Sequence, residues 1–256
     1  MLVVLLTASI WLLVNIWIGS DDFTYQLKQD LSIEFNYLFR LKKSYIGVPF
    51  LQNPNDAITI AEILSDQDVD LVIETGSFRG GSALFFATVM YQYRYVPNQN
   101  TVRPFKIITI DITPDAKPFI ERYPLLANYI TFIQDGSASE KTRAFVNRTF
   151  MEMKPKNVFI SLDGDHTAQP VYDEAVYYQN FLPNIGNYML FQDTRVSVKW
   201  SREYCSVSKF DGPCNGPLEA VNWFLKNEGQ GRFAIDREKE YLFTTNKNGW
   251  LKRIAL

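Results

Sequence analysis

Five short apolar runs recur along this chain, each closing on a carboxylate or a small polar residue, with helix-like segments between them. The runs are Asp70–Thr75, Lys106–Ile112, Ile130–Gln134, Asn157–Leu162 and Tyr188–Phe191. Unbroken apolar runs of this length describe parallel strands buried on both faces. Their alternation with helices implies a mainly parallel sheet covered on both sides. Helices are expected over Ile58–Leu64, Gly81–Tyr93, Pro118–Leu126, Ser139–Phe150 and Val171–Phe181, and around Leu218–Leu225. Phe233–Asp236 and Tyr241–Thr245 read as closing strands, followed by a turn over Asn246–Gly249. The chain thus reads as one α/β domain over residues 56–256, preceded by a helical or irregular lead-in over residues 20–55.

The N-terminal 1–19 stretch departs from this pattern. Leu2 to Ile18 carries no charge, and as a helix its 17 residues would span roughly 26 Å, near the thickness of a bilayer core. A membrane anchor is favoured over a signal peptide, because no Lys or Arg precedes Ile18 and Trp17-Ile18-Gly19-Ser20 is a poor cleavage site. The expected location is the membrane through residues 2–18, with the side left open. Cys205 and Cys214 enclose a loop that a disulfide would close in an oxidising compartment, and Asn147-Arg148-Thr149 matches a glycosylation sequon. The net charge of -2 shows no basic excess, which argues against a nucleic-acid partner. The aromatic run Tyr91–Tyr95 reads as packing rather than ligand stacking.

Ligands of such sheets bind at the carboxyl ends of the strands. Glu74 and Gly76 close the first run, Asp111 the second, and Asp135-Gly136-Ser137 come after the third. Asp163-Gly164-Asp165-His166 come after the fourth, and Gln192-Asp193 after the fifth. The stretch Gly76-Ser77-Phe78-Arg79-Gly80-Gly81-Ser82 has neither the dinucleotide spacing nor the Gly-Lys-Ser/Thr of a phosphate loop. Its glycines serve either tight packing or a ligand laid against bare backbone. Glu74 would repel phosphates and suits an amino group, while Asp111 is placed to accept from a ribose diol. Together they point to a phosphate-free nucleoside, of which S-adenosylmethionine is the common one. Asp163 and Asp193 end neighbouring strands and would suit Mg²⁺, or else cap the next helices. His166, the only histidine, would take a proton from a substrate hydroxyl.

These residues resemble a known family. IETGSFRGGSALFFA, SLDGDHT, FQDT, GPLEAV and the lead-in IGVPFLQNPNDAITIAEIL are similar to the cephalosporin hydroxylase and rhamnosyl O-methyltransferase family, whose members are class I S-adenosylmethionine-dependent methyltransferases. The likeness runs from about residue 45 to the C-terminus. It implies a Rossmann-like, seven-stranded, mostly parallel sheet with an antiparallel closing hairpin. It also implies Mg²⁺-assisted methyl transfer to a hydroxyl of a small molecule or saccharide. The cofactor-binding set is then Glu74, Gly76, Ser77, Arg79, Gly80, Gly81, Ser82, Asp111, Gly136, Ser137 and Asp163, with His166 and Asp163 catalytic. The implied metal ligands are Asp163, Gln192 and Asp193, where Gln192 stands in place of a carboxylate. Two rival functions stay open. Asp163-Gly164-Asp165 is the D-x-D of metal-dependent glycosyltransferases, and Gln192 would also suit a non-catalytic relative.

Overall fold

The computed structural model describes residues 43–195, 215–240 and 244–256. The apolar 2–18 segment, Cys205, Cys214 and residues 196–214 of the polar loop lie outside the described residues, so the expectations placed on them go no further. Among the described residues no helix is long and apolar enough to cross a membrane.

Seven strands form one sheet: β1 (Leu71–Thr75), β2 (Lys106–Asp111), β3 (Ile130–Gln134), β4 (Val158–Leu162), β5 (Tyr188–Phe191), β6 (Phe233–Ile235) and β7 (Trp250–Arg253). Their spatial order is β6-β7-β5-β4-β1-β2-β3. The first five run parallel, and β7 is antiparallel to both β5 and β6. Strand order reverses between β1 and β4, which opens a crevice at their carboxyl ends.

Alternate residues of each strand face opposite layers, and both layers are buried. Leu71, Ile73, Ile160, Leu162 and Phe191 point to one side, against the helices α5 (Glu140–Met153), α6 (Ala168–Tyr178) and α7 (Pro217–Asn227). Val72, Ile107, Phe159 and Leu190 point to the other, against α1 (Pro54–Asp66) and α2 (Gly81–Arg94). This two-sided burial makes the central strands apolar throughout instead of alternating with polar residues. The expected Pro118–Leu126 helix is two short ones, α3 (Lys117–Ile120) and α4 (Pro124–Ala127).

Local sequence sets the helix ends. Asn53 caps α1 by accepting from Asn55 N at 2.8 Å, with Pro54 in the first turn. Ser139 caps α5 by accepting from Thr142 N at 3.1 Å. Glu219 Oε2 accepts from Gly216 N at 3.0 Å and closes the start of α7. The sequon Asn147 sits exposed on α5, while its Thr149 is buried. Tyr91 packs on Tyr129 and Tyr95, and buried Arg94 binds the Asp68 and Pro104 carbonyls and Asp70, so the aromatic run is packing.

The expected closing strands need correction. Phe233–Ile235 pairs with Trp250–Arg253 where Tyr241–Thr245 is expected as the closing strand; residues 241–243 lie outside the described residues. Gly249 lets the chain enter beside β5, since a Cβ there would lie 2.2 Å from Phe191 O. Trp250 and Leu251 then fill the two layers completely. The described lead-in ahead of α1, residues 43–53, carries one short regular piece. It is a two-stranded ribbon, Ser44–Tyr45 with Val48–Pro49, turning through Ile46 and Gly47, both at positive φ.

Candidate active site

The glycine-rich turn after β1 brings three backbones together. Gly76 has φ +82°, and a Cβ there would lie 1.9 Å from Asp163 O, so the end of β4 can approach only a glycine. Gly80 has φ +78°, and its Cβ would press on Ile120 Cγ1 at 2.9 Å. A Cβ on Gly81 would meet Pro49 O at 2.2 Å, which seats the lead-in ribbon on the start of α2. Packing therefore accounts for all three glycines. At Gly76 and Gly81 the same close approach also forms a wall of the crevice.

The crevice has a volume of about 500 Å³. Gly76, Ser77, Gly81, Ser82, Asp111, Asp163, His166, Gln192 and Asp193 line it, as expected from the sequence. Glu74, Arg79, Gly80, Gly136 and Ser137 do not. Arg79 turns outwards over Phe78 and Phe119, beside a separate surface hollow shared with Lys117. Ser137 donates to Glu174, and Gly136 N to Asp135 Oδ1 at 2.7 Å. Pro49, Leu51, Gln52, Ile112 and Thr245 line the crevice without having been singled out. For Pro49, Leu51 and Gln52 the only sequence signal is the resemblance of the lead-in, while Ile112 and Thr245 fall in runs read as strands.

Glu74 lies directly behind this wall and is fully buried. Thr109 Oγ1 donates to its Oε2 at 2.6 Å, and its Oε1 has no hydrogen-bond partner. Burial, with lesser contributions from Asp163 and Asp111, pushes its carboxyl up to about 8. Asp111 is more open. It accepts from Phe78 N at 2.8 Å through one oxygen and from Thr113 N at 2.9 Å through the other. Those bonds hold Phe78, itself at φ +46°, at the mouth of the crevice.

At the ends of β4 and β5 an imidazole sits between two carboxylates. His166 Nε2 is 3.6 Å from Asp163 Oδ1 and 3.3 Å from Asp193 Oδ2. Hydrogen bonding to Asp163 and Asp193 pushes the imidazole up to about 10 in this arrangement. A proton held that firmly is not one a neutral base has to spare, so this geometry does not make His166 a simple proton acceptor. Gln192 has both ends of its amide engaged in hydrogen bonds. Its Oε1 accepts from Gln52 Nε2 at 2.6 Å, and its Nε2 donates to Ser161 Oγ at 2.8 Å.

Asp193 adopts φ +55°, a left-handed conformation uncommon for a residue with a side chain. The buried Asn246 holds it there, accepting from Asp193 N through Oδ1 at 2.8 Å. Asn246 Nδ2 in turn donates to Asp56 Oδ2 at 3.2 Å, which also accepts from Thr245 N and Oγ1 at 2.9 Å. Burial pushes Asp56 up to about 6. The turn before β7 and the first turn of α1 thus support a residue at the end of β5, a relation that sequence spacing does not reveal.

The crevice combines several carboxylates with no Lys or Arg among its described lining residues, so it favours a cationic ligand over a phosphorylated one. Comparison with known proteins agrees with this chemistry. The Rhamnosyl O-methyltransferase/CmcI family profile matches residues 37–254. A rhamnosyl O-methyltransferase of Mycobacterium leprae (strain TN) is 30% identical over 212 residues, covering 82% of each chain. Its counterpart in Mycobacterium bovis (strain BCG / Pasteur 1173P2) is 29% identical over 215 residues, covering 83% of this chain and 78% of that one. Among solved structures, apo CmcI superposes with a TM-score of 0.55 at 15% identity, over 84% of this chain and 77% of that chain. CmcI with Mg-SAM gives 0.53 at 14% identity, over 83% of this chain and 77% of that chain. These structural likenesses bear on the fold. With the sequence match across most of the chain, the protein is an S-adenosylmethionine-dependent methyltransferase and belongs to the Rhamnosyl O-methyltransferase/CmcI family.

Proposed function

We propose that this protein transfers a methyl group from S-adenosylmethionine to a hydroxyl of a saccharide acceptor, a rhamnosyl unit being the first candidate. The observation that carries the reading is the charge of the crevice: Asp111, Asp115, Asp163 and Asp193 line it, with no Lys or Arg among the described lining residues. That lining suits an ammonium and a sulfonium and opposes the diphosphate of a sugar nucleotide, which disfavours the glycosyltransferase alternative.

The residues fit this cofactor. Glu74 Oε1 is a buried acceptor without a hydrogen-bond partner, placed behind bare backbone at Gly76. Asp111 stands at the end of β2, where a ribose diol is held in folds of this kind. When bound, the cofactor supplies an electrophilic methyl on sulfur. Asp163 and Asp193, with His166 between them, would hold the acceptor hydroxyl against that methyl, and their carboxylates would take up its proton as the methyl passes from sulfur to oxygen. Positioning of the two reactants accounts for roughly 7–11 kcal/mol of barrier lowering in reactions of this type. Exposed Leu51 and Phe78 flank the entrance and would hold the apolar side of the acceptor.

Asp163 and Asp193 also fit a divalent cation, since both carboxylates and His166 fall within 4.8 Å of one another. A cation there would neutralise the two carboxylates and polarise the acceptor hydroxyl. Titration calorimetry with S-adenosylmethionine and with uridine and guanosine diphosphate sugars tests the proposal, together with methyl transfer to a panel of rhamnosides. Binding of the methyl donor alone is expected. Absence of binding at millimolar concentration, or binding of a sugar nucleotide instead, would overturn it.

A further inference from the structure

Three donor atoms converge in the crevice at spacings that a shared ion would also fit. His166 Nε2 faces Asp193 Oδ2 at 3.3 Å and Asp163 Oδ1 at 3.6 Å. A ring nitrogen carries at most one hydrogen, and a charge-assisted N–H···O bond closes to about 2.7–2.9 Å. Here two carboxylates from neighbouring strands address the same nitrogen, and neither comes that close. Donor atoms about 2.1 Å from a shared ion stand about 3.0 Å apart at a right angle and about 3.4 Å apart at a tetrahedral angle. The observed spacings lie around the second value.

The fourth candidate ligand is already engaged. Gln192 is buried, and its amide oxygen accepts from Gln52 at 2.6 Å while its amide nitrogen serves Ser161. Turning the amide over would set its NH₂ against that of Gln52. Asp193, by contrast, is held towards His166 by a backbone conformation that Asn246 secures.

We infer that Asp163, His166 and Asp193 form a two-carboxylate, one-imidazole metal site, in which His166 and not Gln192 is the third protein ligand, and that it takes Zn²⁺ or Mn²⁺ in preference to Mg²⁺. An imidazole nitrogen suits borderline transition ions, whereas Mg²⁺ prefers oxygen donors in a near-ideal octahedron. The inference deepens the methyltransferase reading and rests on it for the ion's task, which is to hold the acceptor hydroxyl.

The test uses the full chain, stripped of metal and titrated with Zn²⁺, Mn²⁺ and Mg²⁺. Bound Mn²⁺ is probed by electron spin-echo spectroscopy for the modulation that a directly bonded imidazole nitrogen produces. Zn²⁺ and Mn²⁺ are expected to bind more tightly than Mg²⁺, with a nitrogen signal present in the unaltered protein. H166A and H166Q, each checked for folding by circular dichroism, should lose that signal and weaken Mn²⁺ by at least about tenfold, the lower bound for loss of a group that merely supports a ligand. A nitrogen-free spectrum, equal affinity for Mg²⁺, or no ion bound would overturn the inference. A parallel titration of the unaltered protein with S-adenosylmethionine separates the two readings. A nitrogen-free spectrum with the cofactor bound removes only this inference, and a nitrogen signal without cofactor binding removes only the methyltransferase reading.

Discussion

Gly76 carries more of the site than any other single residue, because it sets how closely the ends of β1 and β4 can approach. A methyl group there would overlap Asp163 O and would also have to tolerate φ +82°. Gly76→Ala should therefore destabilise the fold by about 3 kcal/mol, combining backbone strain with overpacking. A denaturant melt reads this directly, and a change under about 1 kcal/mol would show that the strand ends can part without loss. Arg79 provides the opposite case. The glycine-rich turn made it look like a cofactor contact, but the left-handed Gly80 beside it sends the side chain out over Phe119. Arg79→Ala should leave S-adenosylmethionine affinity within about 0.5 kcal/mol of the unaltered value by calorimetry, as for a surface residue. The strand-end acids were legible in the sequence because a strand's last residue has only one place to be. The direction a side chain takes within a turn depends on dihedral angles that residue types alone do not specify.

Elements assemble the site through contacts that cross long stretches of chain. The five parallel strands could be read in sequence, since burial on both faces leaves an apolar run. The last strand could not, because Trp250-Leu251 is short and Tyr241–Thr245 looks the better strand former. With Trp250–Arg253 as the closing strand, Thr244, Thr245 and Asn246 become a buried turn beneath Asp193. The same turn is fastened to α1 through Asp56, and Gln52 of the lead-in reaches Gln192. Lead-in, hairpin and sheet thus meet at one point. Asn246→Ala would leave the Asp193 N–H buried without its acceptor, at a cost of about 1–3 kcal/mol. Because Asp193 would then be free to leave its left-handed conformation, kcat should fall more than KM rises. Steady-state kinetics beside a thermal melt separates this from general loosening, in which apparent kcat would fall only by the fraction unfolded and KM would not move.

At the scale of the whole molecule, the concentration of acids at one edge of the sheet sets the response to pH. Burial pushes Asp56 up to about 6, Glu174 to about 7 and Glu74 to about 8, against ordinary values of 3.8 and 4.5. Between those limits the folded protein holds protons that the unfolded chain has released. Stability therefore falls as pH rises through the window, and the decline ends above the highest of the three values. His166 acts in the same direction, because a histidine held protonated by folding loses its contribution as pH rises from 6.5 towards about 10. Calorimetric melting in the presence of a chelator should show a midpoint that drops steadily from about pH 5 to about pH 8. Glu174→Gln, which keeps a partner for Ser137 and Thr75 but cannot ionise, should flatten part of that slope. Glu74→Gln should flatten another part, at higher pH, and should also weaken binding of a cationic ligand. A midpoint that stays level or rises over this range would mean that these carboxyls ionise without penalty, and the crevice would then be far wetter than its packing indicates.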